Sequence, residues 1–411
     1  MRGENLLTSH CFLRHNRYME KATVREIGDI IKGKRVFLRS DLNVPFAKDG
    51  SIDDDKRIVA SLPTLQYLLD KGARVIICSH LGRPKGKDKN LSLKPVFKRL
   101  QELLSGRKVY FDKEPEEKLK DGEVLLLENI RFFEEETKND IAFAKKLSAM
   151  ADYYVNDAFG AAHRAHASTE GIARFIPAVS GFLMEQELKI LGEAINNPRK
   201  PLLVIIGGKK VDTKIGVFNG LLDIAQTILV GGGMTYTFVK ANGGSIGNSI
   251  LDVPSLEFCK QVQLSAKKKG VQIVLPQDSV CADRLSNDAH IKIFPSDQIA
   301  DGWEGFDIGP KTIEEFKKHI ARAGTVIWVG PVGVSEVEAF ANGTKEIAQA
   351  VVDSGAVSII GGGDSASAIT RMGMQELYTH ISTGGGASLE FLEGKKLPGV
   401  EALIGKEVRI K

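Results

Sequence analysis

The residues best equipped for chemistry are lysines and arginines placed beside glycine turns. The stretch Ile205-Ile206-Gly207-Gly208-Lys209-Lys210-Val211-Asp212-Thr213-Lys214 lies at the midpoint of the 411-residue chain. Pro201 to Ile206 is a short apolar run of strand type, two glycines turn the backbone, and Lys210 and Lys214 follow four residues apart. Helix is expected from Ile215. Free N–H groups at a helix start, the helix dipole and two ammonium groups together suit an anion. An ordinary strand-to-helix turn with solvated lysines explains this stretch alone equally well.

The first half of the chain carries a second set: Asp41, Asn43, His80, Arg83, Arg131 and Arg164, with Arg57 opening a helix. Guanidinium forks match carboxylate and phosphate. Any one of these arginines is more simply a solvated surface group. That all of them fall at strand ends or helix starts favours a site for a small, multiply charged anion. The loops of the second half differ in kind. Gly231-Gly-Gly233 and Gly361-Gly-Gly363 offer backbone almost without side chains, which suits the flat base and phosphates of a nucleotide. Asp364 opens a helical run, where it either ligates Mg²⁺ beside phosphates or caps the helix. No general base is evident, and a carboxylate acceptor, already ionised at pH 7, needs none.

Other motifs carry less. The Walker pattern Gly-x4-Gly-Lys-Ser/Thr is absent from the sequence. Gly361-x-Gly363-x-x-Ala366 fits a loose dinucleotide fingerprint, but a nicotinamide dehydrogenase built on it leaves the arginines and lysines without a task. His163-x-x-His166 has zinc-like spacing, and Arg164 between the two argues for an anion instead.

Elements that position these groups are legible as alternating apolar runs and helical stretches. Expected strands are Arg35–Leu38, Arg74–Cys78, Lys108–Phe111, Glu123–Leu127 and Tyr153–Val155. The second half adds Leu202–Ile206, Thr227–Val230, Gln272–Leu275, Thr325–Val329, Ser358–Ile360 and His380–Ser382. Helices are expected over Lys56–Lys71, Leu93–Leu104, Asp140–Met150 and Leu183–Ile195, the last broken by Asn196-Asn197-Pro198. Short apolar strands alternating with helices indicate an α/β fold with parallel sheets. The expected architecture is two doubly wound parallel-sheet domains joined by a helix hinge. Ligands of such sheets sit beyond the carboxyl ends of the strands, where every cluster above falls.

Composition narrows the function. There are 56 basic and 52 acidic residues, a net charge of +4. That gives no basic excess for nucleic acid. No apolar run approaches the length of a membrane span. Cys11, Cys78, Cys259 and Cys281 are scattered, which indicates reduced thiols and a cytoplasmic setting. Residues 1–20, mildly basic and without a signal-peptide core, read as a disordered extension, with an organelle transit peptide as the alternative.

From about Thr23 to Lys406 the chain resembles phosphoglycerate kinase. The motifs are Arg39-Ser-Asp-Leu-Asn-Val-Pro45, Ser79-His-Leu-Gly-Arg-Pro84, Glu128-Asn-Ile-Arg131-Phe132 and Phe159-Gly-Ala-Ala-His-Arg-Ala-His-Ala-Ser168. They continue with Gly207-Gly-Lys-Lys-Val211, Asp307-Ile-Gly-Pro-Lys-Thr312, Gly361-Gly-Gly-Asp-Ser365 and Ser382-Thr-Gly-Gly-Gly-Ala387. The resemblance implies Rossmann-like domains and reversible phosphoryl transfer between 1,3-bisphosphoglycerate and Mg-ADP, giving 3-phosphoglycerate and ATP. It implies a glycerate-binding set of Asp41, Leu42, Asn43, Arg57, His80, Leu81, Gly82, Arg83, Arg131 and Arg164. The implied nucleotide set is Gly208, Lys210, Lys214, Gly232, Gly233, Gly309, Pro331, Glu336, Gly362, Gly363, Asp364 and Ser365. Arg57, Lys210 and Lys214 would be catalytic, Asp364 would ligate Mg²⁺, and Gly384, Gly385 and Gly386 would face the moving phosphoryl group. Implied domains are a glycerate-binding 21–184, a hinge 185–199, a nucleotide-binding 200–395 and a returning segment 396–411, in a monomer.

Some positions depart from the family pattern: Lys209 where a small residue is common, Asp212-Thr213 before Lys214, Val329 where Asn is usual, and Ser335 before Glu336 where Phe is usual. The expected consequence of Val329 and Ser335 is weaker nucleotide binding. Two other classes therefore stand beside the kinase: a relative that binds the same ligands with weakened or no turnover, and the dehydrogenase. Turnover and nicotinamide fluorescence separate the three.

Overall fold

The structure is a computed structural model that describes residues 18, 20–112 and 119–410. Apart from Tyr18 and Glu20, the expected extension over residues 1–20 lies outside the described residues. Two compact units are present: residues 18–189 with 396–410, and residues 190–395.

The first unit is built on six strands: β1 (Arg35–Ser40), β2 (Arg74–Cys78), β3 (Val109–Phe111), β4 (Val124–Leu126), β5 (Tyr153–Asp157) and β6 (Ala178–Ser180). Their order is β3-β4-β2-β1-β5-β6, and every pairing is parallel. Runs such as Val75-Ile76-Ile77 are buried on both faces, as a central parallel strand requires. Helices Lys56–Asp70 and Lys94–Leu103 contribute Leu65, Leu68 and Leu100 to a core with Leu38, Val75 and Ile77. The second of these helices starts on a carboxylate. Glu128 accepts from Leu93 N–H at 2.8 Å and from the Ser92 hydroxyl at 2.7 Å, satisfying donors that a helix start leaves bare. The C-terminal segment packs on this unit: Gly399 N–H donates to Ala162 O, and Ile404 N–H donates to Ala178 O.

The second unit carries β7 (Leu202–Ile206), β8 (Thr227–Val230), β9 (Ser245–Ile246), β10 (Gln272–Val274), β11 (Asp278–Ala282) and β12 (Ile291–Pro295). It continues with β13 (Gln298–Ile299), β14 (Glu304–Ile308), β15 (Thr325–Val329), β16 (Val357–Gly361) and β17 (His380–Ile381). Its main sheet runs β10-β8-β7-β15-β16-β17, all parallel, with the order reversing between β7 and β15. Counted within that sheet, this is the doubly wound order 3-2-1-4-5-6. The expected α/β class with two doubly wound sheets is therefore found. A small antiparallel sheet, β12-β11-β14, and the β9–β13 pair were not expected. Asp278-Ser-Val-Cys-Ala and Glu304-Gly-Phe-Asp-Ile are too polar to stand out as apolar runs. β12 is an edge strand with Ile291 and Ile293 about half exposed, so its side chains follow no core pattern.

The helix expected over Leu183–Ile195 spans Phe182–Asn196 and crosses from one unit to the other. Asp157, at the end of β5, accepts from the N–H groups of Leu183 and Met184 at 2.9 and 3.2 Å, which fixes where this helix begins.

Candidate active site

In the first unit the loops after β1, β2, β4 and β5 meet beyond the carboxyl ends of the strands. Arg57 donates to Asp41 at 2.8 Å. Gly82 N–H donates to Asn43 Oδ1 at 2.8 Å, and the Arg131 guanidinium donates to Gly82 O at 2.7 Å. Arg83, Arg131 and Arg164 line one cavity of 380 Å³, together with Lys85 and His166. The side-chain charges of the predicted anion set are thus linked through one network or one cavity wall. The amides of Leu42 and Leu81 are already engaged, by Ser79 Oγ and Asn129 Oδ1, so these two residues shape the loops from inside. A larger cavity of 930 Å³ in the same unit, walled by Lys94, Lys98 and Arg99, contains none of the predicted residues.

Two features mark the arginine cavity as built for an anion. Nε and Nη2 of Arg131 are buried without a hydrogen-bond partner among the described residues. Buried N–H groups of a cation left bare cost free energy that an incoming anion recovers. Burial, with the repulsion of Arg164 and Arg39, pushes the Arg131 pKa down to about 10, so it remains a cation at neutral pH. The histidines behave oppositely. Burial and the surrounding arginines hold His80 well below the usual imidazole range, and burial with Arg164, His166 and Arg131 pulls His163 down to about 4, so both are neutral near pH 7. Nε2 of His163 accepts from Arg164 Nε at 3.1 Å, so one ring nitrogen of the His163-x-x-His166 pair already serves the arginine.

In the second unit the loops after β7 and β15 cross at the point where strand order reverses. A Cβ on Gly207 would lie 2.1 Å from Pro331 O, and one on Gly330 would lie 2.2 Å from Gly207 O. Only glycine lets these backbones approach so closely. Beside the crossing is a cavity of 340 Å³ lined by Gly208, Gly232, Gly233, Pro331, Glu336 and Asp364, all predicted. Lys209, Ile250, Leu285, Gly305, Phe306 and Val334 also line it. The sequence reading missed Gly305 and Phe306 because β14 itself was not foreseen, and Ile250, Leu285 and Val334 because isolated apolar residues in loops carry no signal.

Other predicted residues stand elsewhere. Gly309 is buried, its N–H bonded to Asp278 O, and takes no part in lining this cavity. The Ser365 hydroxyl is 1% exposed; it accepts from Gly330 N–H at 2.5 Å and donates to Gly361 O at 3.0 Å. It ties the loop after β15 to the end of β16 and is not presented to a ligand. Lys210 is exposed at the turn, whereas Lys214 is half-buried. Desolvation lowers the Lys214 pKa against the opposing pull of Asp364 and Glu393, which places Lys214 and Asp364 in one electrostatic neighbourhood. Asp364 makes no cap hydrogen bond; Gly362, at φ +86°, occupies the cap position instead. The loop Gly384–Gly386 turns through Gly385 at φ +50°, with open space where a Cβ would stand.

Val329 is wholly buried in β15, with Cγ2 3.4 Å from where a Gly361 Cβ would lie, and is not among the residues lining the cavity. Ser335 accepts from Arg371 at 3.1 Å.

Asp307, also unforeseen, braces the same loop from behind. Its oxygens accept from Ile308 N–H at 2.9 Å and Gly343 N–H at 2.6 Å, and a Cβ on Gly333 would meet it at 2.0 Å. Both hydrogen bonds favour the carboxylate, but burial dominates and raises the pKa from 3.8 to about 7. An acid with a raised folded pKa contributes stability at low pH that is lost as pH climbs from its unfolded value to its folded one. Urea midpoints are therefore expected to fall between pH 4 and 7 in the wild type, and Asp307→Asn is expected to flatten that slope.

Comparison with known proteins identifies the family of the chain. The family profile described as phosphoglycerate kinase matches residues 25–395. The chain is 52% identical over 402 residues to a phosphoglycerate kinase of Thermosipho africanus, covering 95% of this chain and 99% of that one. It is 51% identical over 398 residues to one of Dictyoglomus turgidum, covering 94% and 100%. Among solved structures it is similar to the Coxiella burnetii phosphoglycerate kinase, at TM-score 0.86 and 41% identity over 93% of this chain and 98% of that one. It is also similar to the enzyme from Pyrococcus horikoshii OT3, at TM-score 0.77 and 36% identity, covering 91% and 96%.

Proposed function

The chain belongs to the phosphoglycerate kinase family, and on that premise we propose how its residues divide the reaction. The activity is reversible phosphoryl transfer between 1,3-bisphosphoglycerate and ADP, giving 3-phosphoglycerate and ATP. No observation favours a weakened relative.

In this reading the arginine cavity takes the glycerate phosphate and carboxylate, and the cavity beside the Gly207–Gly330 crossing takes the nucleotide. The observation that carries it is the pair of buried, unpartnered Arg131 N–H groups in a cavity shared with Arg83 and Arg164. Glu336 would bond the ribose, and Ile250, Leu285 and Val334 would pack on the base. Transfer between acyl phosphate and ADP needs positioning and positive charge around the moving group more than proton transfer. Arg57, Lys210 and Lys214 supply that charge. Arg57 is held in place by Asp41, while the desolvation of Lys214 means less water screens it.

Mg²⁺ belongs to the same proposal. Among the described residues no three His, Cys, Asp or Glu side chains gather into a metal site. Asp364 is exposed and uncapped at the cavity wall, which fits an ion held by one carboxylate and by the nucleotide phosphates themselves. When bound, the ion would offset phosphate charge. A cytoplasmic monomer that bends at its linking helix during turnover completes the reading. No helix among the described residues is long and apolar enough to cross a membrane.

The test is turnover of purified protein with ATP, Mg²⁺ and 3-phosphoglycerate, coupled to a dehydrogenase that consumes the acyl phosphate, beside Arg131→Ala. Wild-type turnover with a KM for 3-phosphoglycerate raised about tenfold or more in Arg131→Ala supports the assignment. No wild-type turnover overturns it. Val329→Asn is expected to leave the ATP dissociation constant within about twofold. It should lower stability by about 1–3 kcal/mol, the cost of a buried amide without a partner. Calorimetry and urea unfolding give the two numbers.

A further inference from the structure

Arg39 lies inside β1 and is wholly buried, so no ligand can reach it. Each of its three nitrogens is engaged by protein. Nε donates to Ser168 Oγ at 2.9 Å, Nη1 donates to Ser40 O at 2.5 Å, and Nη2 lies 3.1 Å from Nδ1 of His80. Ser168 is itself fixed. Its hydroxyl donates to one oxygen of the fully buried Glu136 at 2.7 Å, and its N–H donates to the other at 2.8 Å. Glu136, Ser168 and Arg39 therefore form a buried relay that ends on one ring nitrogen of His80.

A guanidinium has only donors. Nδ1 of His80 must then present its lone pair, and a neutral ring with a bare Nδ1 carries its proton on Nε2. The ring is 5% exposed and faces the charges of Arg39, Arg131, Arg57 and Arg164, an environment that excludes a second proton. His163 is set the other way, since its Nε2 accepts from Arg164.

We propose that Arg39 is a positioning residue that, anchored through Ser168 on Glu136, holds His80 as the neutral Nε2–H tautomer, so that His80 offers the bound anion a donor without a charge. The consequence for binding rests on the glycerate assignment above; the tautomer does not. A neutral donor among arginines gives direction to the anion while adding nothing to the repulsion those cations already exert on one another. It also keeps substrate capture independent of imidazole titration.

The experiment is ¹⁵N NMR of the full chain labelled at histidine, with His80→Gln assigning the His80 signals. The expected spectrum shows a bare Nδ1 and a protonated Nε2 that do not titrate between pH 8 and 5.5. A protonated Nδ1, or an imidazolium at pH 7, overturns the proposal. The second arm is steady-state kinetics of Arg39→Lys and Ser168→Ala. A lysine has one donor head and cannot span Ser168, Ser40 and His80. Loss of the single tautomer, with the KM for 3-phosphoglycerate rising about tenfold and the KM for ATP unmoved, is the expected result. Should Arg39→Lys fail to fold, Ser168→Ala keeps the charge pair and reads the same quantities. A lost tautomer without any change in the KM for 3-phosphoglycerate overturns the positioning role. Absence of wild-type turnover overturns the glycerate assignment, while the spectrum still decides the tautomer.

Discussion

Lys214→Ala is expected to lower kcat by at least about a hundredfold, the loss typical when one charge-stabilising donor is removed from a reaction centre. The expectation rests on where the ammonium sits. Lys214 closes the turn before the helix Ile215–Leu221 and is half-buried, and burial makes its charge costly to hold. A protein that keeps a desolvated ammonium at that cost gains nothing in stability from it. The variant should therefore melt no lower than wild type, which separates a catalytic loss from an unfolding one. Arg57→Ala is expected to lose kcat similarly, with Asp41 relieved of its partner. An effect on KM for ATP alone, with kcat intact, would assign Lys214 to ground-state binding instead. Rapid-quench single turnovers decide between the two.

The second large effect is on stability. Glu136 is 0% exposed, and Arg39 is equally buried. Removing one member of such a set strands the other as an uncompensated charge, at a cost of about 3–5 kcal/mol. Glu136→Ala should show that loss in urea. The pH dependence has a definite sign. Burial alone would raise the Glu136 pKa, but the nearby His166, whose Nδ1 lies 3.6 Å away, the charge of Arg39 and the two hydrogen bonds from Ser168 outweigh it and leave it lowered. A carboxylate with a lowered folded pKa contributes stability above its unfolded pKa and loses it as pH falls through the folded one. Wild type should weaken below about pH 4.3, the ordinary glutamate value, and Glu136→Ala should be flatter there. The sign is opposite to that of Asp307.

Glu136 and Arg39 show why part of the candidate site was hidden in the sequence. Glu136 stands in Glu134-Glu135-Glu136, a run that reads as a solvated surface; Glu134 is exposed and Glu136 is not. Arg39 sits between Leu38 and Ser40, where a strand residue attracts no functional reading. Both belong to the interior support of the site, and support residues have no signature of spacing or type. By contrast Arg83, Arg131 and Arg164 stood out because, although each alone reads as a solvated surface group, all fall at strand ends or helix starts. Leu202–Ile206 was legible because five apolar residues in a row leave a buried strand as the simplest solution. β11 and β14 were not, because the buried polar residues Asp278, Ser279 and Asp307 interrupt any apolar run along them. Missing β14 also hid Gly305 and Phe306, so the wall of the second-unit cavity was read as nearly bare backbone when it carries apolar side chains.

The crossing of Gly207 and Gly330 has a consequence for anyone who would re-engineer this molecule. Each backbone occupies the space that a methyl group on the other would need, so neither position can be altered first and its partner second. Randomising either one alone should return only the parent amino acid. Directed evolution of the neighbouring cavity must leave that knot untouched and work through side chains that line it, such as Ile250, Leu285 and Val334.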